Sequence, residues 1–135
     1  MREIKYIVSH CTATPQNTSV ESIISYWRNN LGWRNPGYHY IVTADGTVIK
    51  LLSEDKVANG VRGYNGKSIH VSYIGGISKE RRPLDNRTSQ QKEAMLKIFL
   101  DLKTRYPKAK ILGHRDFPNV AKACPSYDVQ EFLKY

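Results

Sequence analysis

Ile4-Lys5-Tyr6-Ile7-Val8-Ser9-His10 alternates so that Ile4, Tyr6, Val8 and His10 share one face of an extended segment. Side chains in a strand repeat every second residue, so the stretch predicts a β-strand that ends on a histidine. Downstream, Thr18-Ser19-Val20-Glu21 matches a capping box, and Val20, Ile23, Ile24, Trp27 and Leu31 then recur at helical spacing up to Gly32. A strand followed at once by an amphipathic helix sets the expectation of an α/β fold. Tyr38 to Thr43 and Thr47 to Leu52 are rich in β-branched and aromatic residues, and Ala44-Asp45-Gly46 joins them, which predicts a hairpin. Ser53 to Lys67 is polar and glycine-punctuated and reads as a surface loop, and His70 to Ile74 reads as another strand ending at Gly75-Gly76. Ser78 to Arg87 reads as a mobile basic loop. Thr88-Ser89-Gln90-Gln91 opens a second helix with a stripe of Met95, Ile98, Phe99 and Leu102, closed by Pro107. Lys110-Ile111-Leu112 is a short strand leading into Gly113-His114-Arg115-Asp116-Phe117. Asp128 or Ser126 caps a last short helix carrying Val129, Phe132 and Leu133. The fold expected is a single α/β domain over residues 1–135, a mixed central sheet flanked by helices.

Composition narrows the classes. A chain of 135 residues, 40% hydrophobic, can bury one core and not two. No stretch is long and apolar enough to span a bilayer, so no transmembrane segment is expected. Met1-Arg2-Glu3-Ile4-Lys5 runs straight into the first strand without an apolar region or cleavage site, so synthesis in the cytoplasm without a secretory signal is expected. Lys and Arg outnumber Asp and Glu by 21 to 12, a net charge of +9 that favours polyanionic partners. Apart from Lys79, Arg81 and Arg82 the excess is spread along the chain, and the aromatics occupy core positions. A dedicated nucleic-acid surface is therefore not expected.

The chemistry-bearing residues gather from distant segments. His10 and His114 each follow a predicted strand, and Cys124 sits in Lys122-Ala123-Cys124-Pro125. Two imidazoles and one thiolate suit a tetrahedral zinc whose fourth position stays open to water. Spacing alone is weak support, since a histidine at a strand end is more often a hydrogen-bonded structural residue and a buried cysteine more often a small hydrophobe. His39 and His70 are read as structural: His39 should face away from Tyr38, and nothing else in the sequence pairs with His70.

Six ordered motifs carry a family likeness across nearly the whole chain. They are Ile7-Val8-Ser9-His10-Cys11-Thr12-Ala13-Thr14, Gly37-Tyr38-His39-Tyr40 with Asp45-Gly46, Gly63-Tyr64-Asn65, Ile74-Gly75-Gly76, Gly113-His114-Arg115-Asp116, and Lys122-Ala123-Cys124-Pro125-Ser126-Tyr127-Asp128. Together they resemble the zinc N-acetylmuramoyl-L-alanine amidases, which include phage endolysins and share a fold with the peptidoglycan recognition proteins. The resemblance implies hydrolysis of the amide between the lactyl group of N-acetylmuramic acid and L-alanine in bacterial peptidoglycan. It implies Zn2+ on His10, His114 and Cys124, and catalytic parts for Tyr38 and Lys122. On their residue types alone, Tyr38 would be a packed strand aromatic and Lys122 a solvated loop charge. Asp116 is the candidate for an outer hydrogen-bond acceptor to a liganding histidine. No residue stands out as proton shuttle to the leaving amine.

Two departures affect the groove. The family often has a histidine three residues before Gly-Tyr-Asn, where this chain has Gly60, and a glycine after Ser-Ile, where this chain has His70. A non-catalytic peptidoglycan-binding module is the alternative in the same fold. Such modules generally lack the cysteine, and the presence of Cys124, Tyr38 and Lys122 together favours catalysis. A monomer acting on the cell wall after phage-type release or other export is expected.

Overall fold

The computed structural model describes residues 2–134. Five strands form one mixed sheet in the order β3-β2-β4-β1-β5: β1 (Tyr6–Cys11), β2 (Tyr40–Val42), β3 (Val48–Lys50), β4 (Ser68–Tyr73) and β5 (Lys110–Gly113). β1 pairs in parallel with both β4 and β5, β2 pairs in parallel with β4, and β2 and β3 form the antiparallel hairpin. Because β1 and β4 lie in the middle of the sheet and are covered on both faces, both are buried almost throughout. β1, first in order among the described strands, is thus flanked on both sides.

One face of the sheet carries the long helix α2 (Ser89–Arg105). Met95, Phe99 and Leu102 pack there with Ile7, Ile69 and Val71, while Ile98 is only partly buried. Thr88 caps α2 in the expected box with Gln91. The buried Gln91 amide also donates to the carbonyls of Val42 and Ile74, tying the helix start to the strand ends. At the other end Glu54 accepts from Arg105 and Tyr106 of that helix end and from Tyr40 on β2.

The first helix differs from the sequence reading at both ends. Its cap is Ser19, one residue after the start of the expected box, and it accepts the N–H of Ser22, whose hydroxyl donates to the Ser19 carbonyl in place of a reciprocal box. α1 (Val20–Ser25) then widens into a π-helical turn over Tyr26–Asn30, with Ile23 and Trp27 buried. Leu31 falls past that turn and is 42% exposed. The last helix, α3 (Val129–Phe132), is capped by Asp128.

Two loops are also more built than expected. The segment after β3 folds back over the sheet face opposite α2, where Val61 packs with Val8 and Phe117. In the basic loop Lys79, Arg81 and Arg82 are exposed. Arg87, by contrast, has a side chain only 5% exposed, pairs with Asp85 and stacks on Tyr127.

Candidate active site

The site lies at the C-terminal edge of the two central strands, on the sheet face opposite α2. Alternation along β1 puts Ile7 and Cys11 with the α2 core and sends Val8 and His10 to the other face. β5 ends at Gly113, and the 3-10 turn His114–Asp116 begins there, so His114 enters the cleft beside β1. The loop after this turn returns Cys124 to the end of β1, where its Sγ lies 3.2 Å from the Cys11 amide nitrogen.

One ligating atom each from His10, His114 and Cys124 lies within 4.8 Å of the others. The His10 and His114 rings are 4.9 Å apart, and His10 Nδ1 stands 3.7 Å from Cys124 Sγ. His10 is buried, and the other two are partly open to the cleft. The three residues read from sequence as a ligand set therefore come together in space, from positions up to 114 residues apart.

Electrostatics suit a cation. Burial, then the neighbouring His70, His114 and Lys122, hold His10 well below the ordinary imidazole range. Burial and the Lys122 charge lower His114 to about 4. Both are neutral donors at neutral pH. The Cys124 thiol is pushed up by its hydrogen bond to Cys11 and by burial, so it gives up its proton only to a strong competing charge such as a metal. Two neutral imidazoles and an ionisable thiol are donors of the borderline-to-soft class that zinc takes, and the residues present fit that ion.

Tyr38 precedes β2 and is held in place by Trp27, whose ring centroid is 5.3 Å away in an edge-on arrangement. The Tyr38 ring lies 5.0 Å from that of His10, and its hydroxyl donates to the Cys11 carbonyl at 3.2 Å. Burial, then the adjacent Cys124, raises its phenol, so it stays a proton donor. Lys122 is exposed and lines the same cleft as Tyr38. Trp33, Asn59, Arg62 and Asn119 line the same open cleft, which mixes aromatic and polar side chains.

Two sequence expectations need correction. Asp116 does not serve a histidine: its Oδ2 accepts the backbone N–H of Gly113 at 2.7 Å, closing the 3-10 turn on itself. His70, expected to have no partner, lies with Nδ1 2.8 Å from His10 Nε2. The two belong to neighbouring strands, His10 opposite Ser72 and His70 opposite Val8, so their side chains meet diagonally on one face. Only the register between β1 and β4 reveals that contact. His39 is structural as expected, accepting the His70 N–H at Nδ1 and bonding the Lys56 carbonyl at Nε2.

Comparison with known proteins agrees with this geometry. The family model described as N-acetylmuramoyl-L-alanine amidase matches residues 1–127. The endolysin of Enterobacteria phage K11 is 39% identical over 134 residues, covering 98% of this chain and 87% of the relative. Among solved structures, the Ph2119 endolysin from a Thermus scotoductus bacteriophage superposes with a TM-score of 0.84 at 29% identity, over 99% of this chain and 85% of that one. Apis mellifera PGRP-SA superposes with a TM-score of 0.82 at 21% identity, over 99% and 83%, a likeness of fold. The matched region runs from β1 through the loop that carries Cys124, and on that ground the chain belongs to the N-acetylmuramoyl-L-alanine amidase family.

Proposed function

We propose that this amidase cuts the bond between the lactyl group of N-acetylmuramic acid and L-alanine as a zinc enzyme of the endolysin type, with His10, His114 and Cys124 as its ligands. The observation that carries the reading is the convergence of those three donors at the mouth of an open cleft. Bound there, zinc supplies a Lewis acid that polarises a carbonyl and lowers the pKa of water toward about 7.

The chain's own residues supply the rest. His10 presents Nδ1 toward Cys124, and Cys124 contributes a thiolate once its proton has left. The Tyr38 hydroxyl, kept protonated by its burial and with its ring fixed against Trp27, turns its one hydrogen from the Cys11 carbonyl to the oxygen that gains charge as the amide carbon becomes tetrahedral. Lys122, which lines the same cleft, adds a positive charge that compensates the same oxygen. The cleft lined by Trp33, Asn59 and Arg62 offers aromatic and polar contacts to a glycan with its peptide stem.

Metal analysis of the purified protein, paired with mass spectrometry of digested sacculi, tests this. The expected result is one zinc per chain and muropeptide stems released with free L-alanyl amino termini. Cys124→Ser should lose the metal and the release together. Full lysis by a metal-free Cys124→Ser protein would discard the ligand set.

A further inference from the structure

The amide of Asn65 decides where protons sit two side chains away. Its Oδ1 accepts the backbone N–H groups of Gly60 at 3.1 Å and Val61 at 2.7 Å, so the atom facing them must be the oxygen. The same oxygen lies 2.9 Å from His70 Nε2, which must therefore carry a hydrogen. The His70 ring is fully buried, and its hydrogen-bond partners are His10 and Asn65, neither of them a carboxylate that would favour the cation. A neutral ring with a hydrogen on Nε2 has a lone pair on Nδ1. His10 Nε2, 2.8 Å from that lone pair, must then be the donor, and the lone pair of His10 is left on Nδ1, the atom facing Cys124.

Residue 60 takes part by having no side chain. A Cβ there would lie 2.3 Å from His70 Nδ1 and 2.4 Å from its Cε1. Side chains from residues 60 and 70 thus point into one volume from opposite sides, and there is room for one of them. The two departures from the family pattern, a missing histidine at Gly60 and an added one at His70, are in this geometry a single exchange.

We propose that His70 is a positioning residue for the metal centre: with Asn65 it forms a relay that fixes His10 in the Nε2–H tautomer, and Gly60 is kept bare to admit the His70 ring. This rests on the zinc reading above for what Nδ1 binds. An imidazole as outer partner to a liganding histidine does the work more commonly done by a carboxylate or a backbone carbonyl, without adding negative charge to the centre.

Nitrogen-15 NMR of the imidazoles in zinc-free protein at neutral pH reads the relay directly. The expected result is a hydrogen on Nε2 of both His10 and His70, the His10 one protected from exchange, with a coupling across the bond to His70 Nδ1. A hydrogen on Nδ1 of either ring, or no coupling, overturns the relay. Chelator competition then measures its effect: His70→Phe should bind zinc about 10-fold to 100-fold more weakly, and His70→Gln, which keeps a carbonyl acceptor, should recover part of that loss. Zinc affinity unchanged in His70→Phe would overturn the positioning role. The swap Gly60→His with His70→Gly should bind zinc more tightly than His70→Gly alone, and no gain would overturn the shared volume. A wild-type chain that takes up no zinc would strike down the metal reading instead, while the tautomers, read without metal, stand or fall on their own. Melting curves of the zinc-free variants separate weak binding from a failure to fold.

Discussion

Tyr38 and Lys122 reach the cleft by different routes, and their removal should leave different marks. Tyr38→Phe keeps the ring packed on Trp27 and leaves the Cys11 carbonyl without its donor, a stability cost of about 1 kcal/mol. Lys122→Ala removes an exposed side chain and should leave the melting temperature unchanged. Both variants should keep their zinc while turnover falls on the order of 100-fold to 1,000-fold, as for other preorganised donors to an oxyanion. Stem-release rates measured beside metal content and melting temperature check this, and a Lys122→Ala enzyme with wild-type turnover would return that residue to the solvated surface. The meeting of His10, His114 and Cys124 was legible through the ordered motifs of the family likeness, since the spacing of the three residues alone is weak support. His70 was not, since its contact depends on a register between strands 60 residues apart. Asp116 misled by adjacency: it follows His114 closely, yet its carboxylate turns back to Gly113.

At the scale of elements, most pieces announced themselves and their ends did not. Thr88 was read correctly as a cap because Gln91 stands at the matching place, and Thr88→Ala should destabilise the protein by about 1 kcal/mol, measurable in urea. Ser19 was misplaced by one residue because Thr18 is an equally good capping type. Glu54 went unnoticed in a stretch that looks like plain loop, although it joins the end of α2 to β2. Burial pushes its carboxyl up, but the hydrogen bonds from Arg105, Tyr106 and Tyr40 outweigh that and bring it down to about 2. A carboxyl lowered on folding stabilises above its unfolded pKa and loses that contribution as pH falls through the folded value. Glu54→Gln should therefore melt below wild type near neutral pH, and the gap should narrow between about pH 4.5 and about pH 2. A gap constant across that range would show that charge at Glu54 is not what binds the two elements.

For the whole molecule, a mixed sheet with helices was legible from the order of periodic segments, but the strand order β3-β2-β4-β1-β5 was not. Pairing of distant strands depends on which faces bury together, and no local pattern encodes it. The charge of +9 belongs to this scale as well. Spread over the surface, it should speed encounter with anionic wall polymer in dilute salt and fade as the screening length shrinks from about 10 Å at 0.1 M to about 3 Å at 1 M. Initial rates of association with purified walls across that range should fall steadily, and a flat profile would assign the basic surface no role in finding substrate. The place of β1 has its own outcome. In chain order β1 precedes both of its neighbours in the sheet, β4 and β5, and its histidine waits longer still, for a sulfur 114 positions later. If Cys124 is the third ligand, as proposed, a growing polypeptide on the ribosome is inert until that sulfur emerges, and the power to breach a wall arrives only with molecules whose synthesis has passed that point.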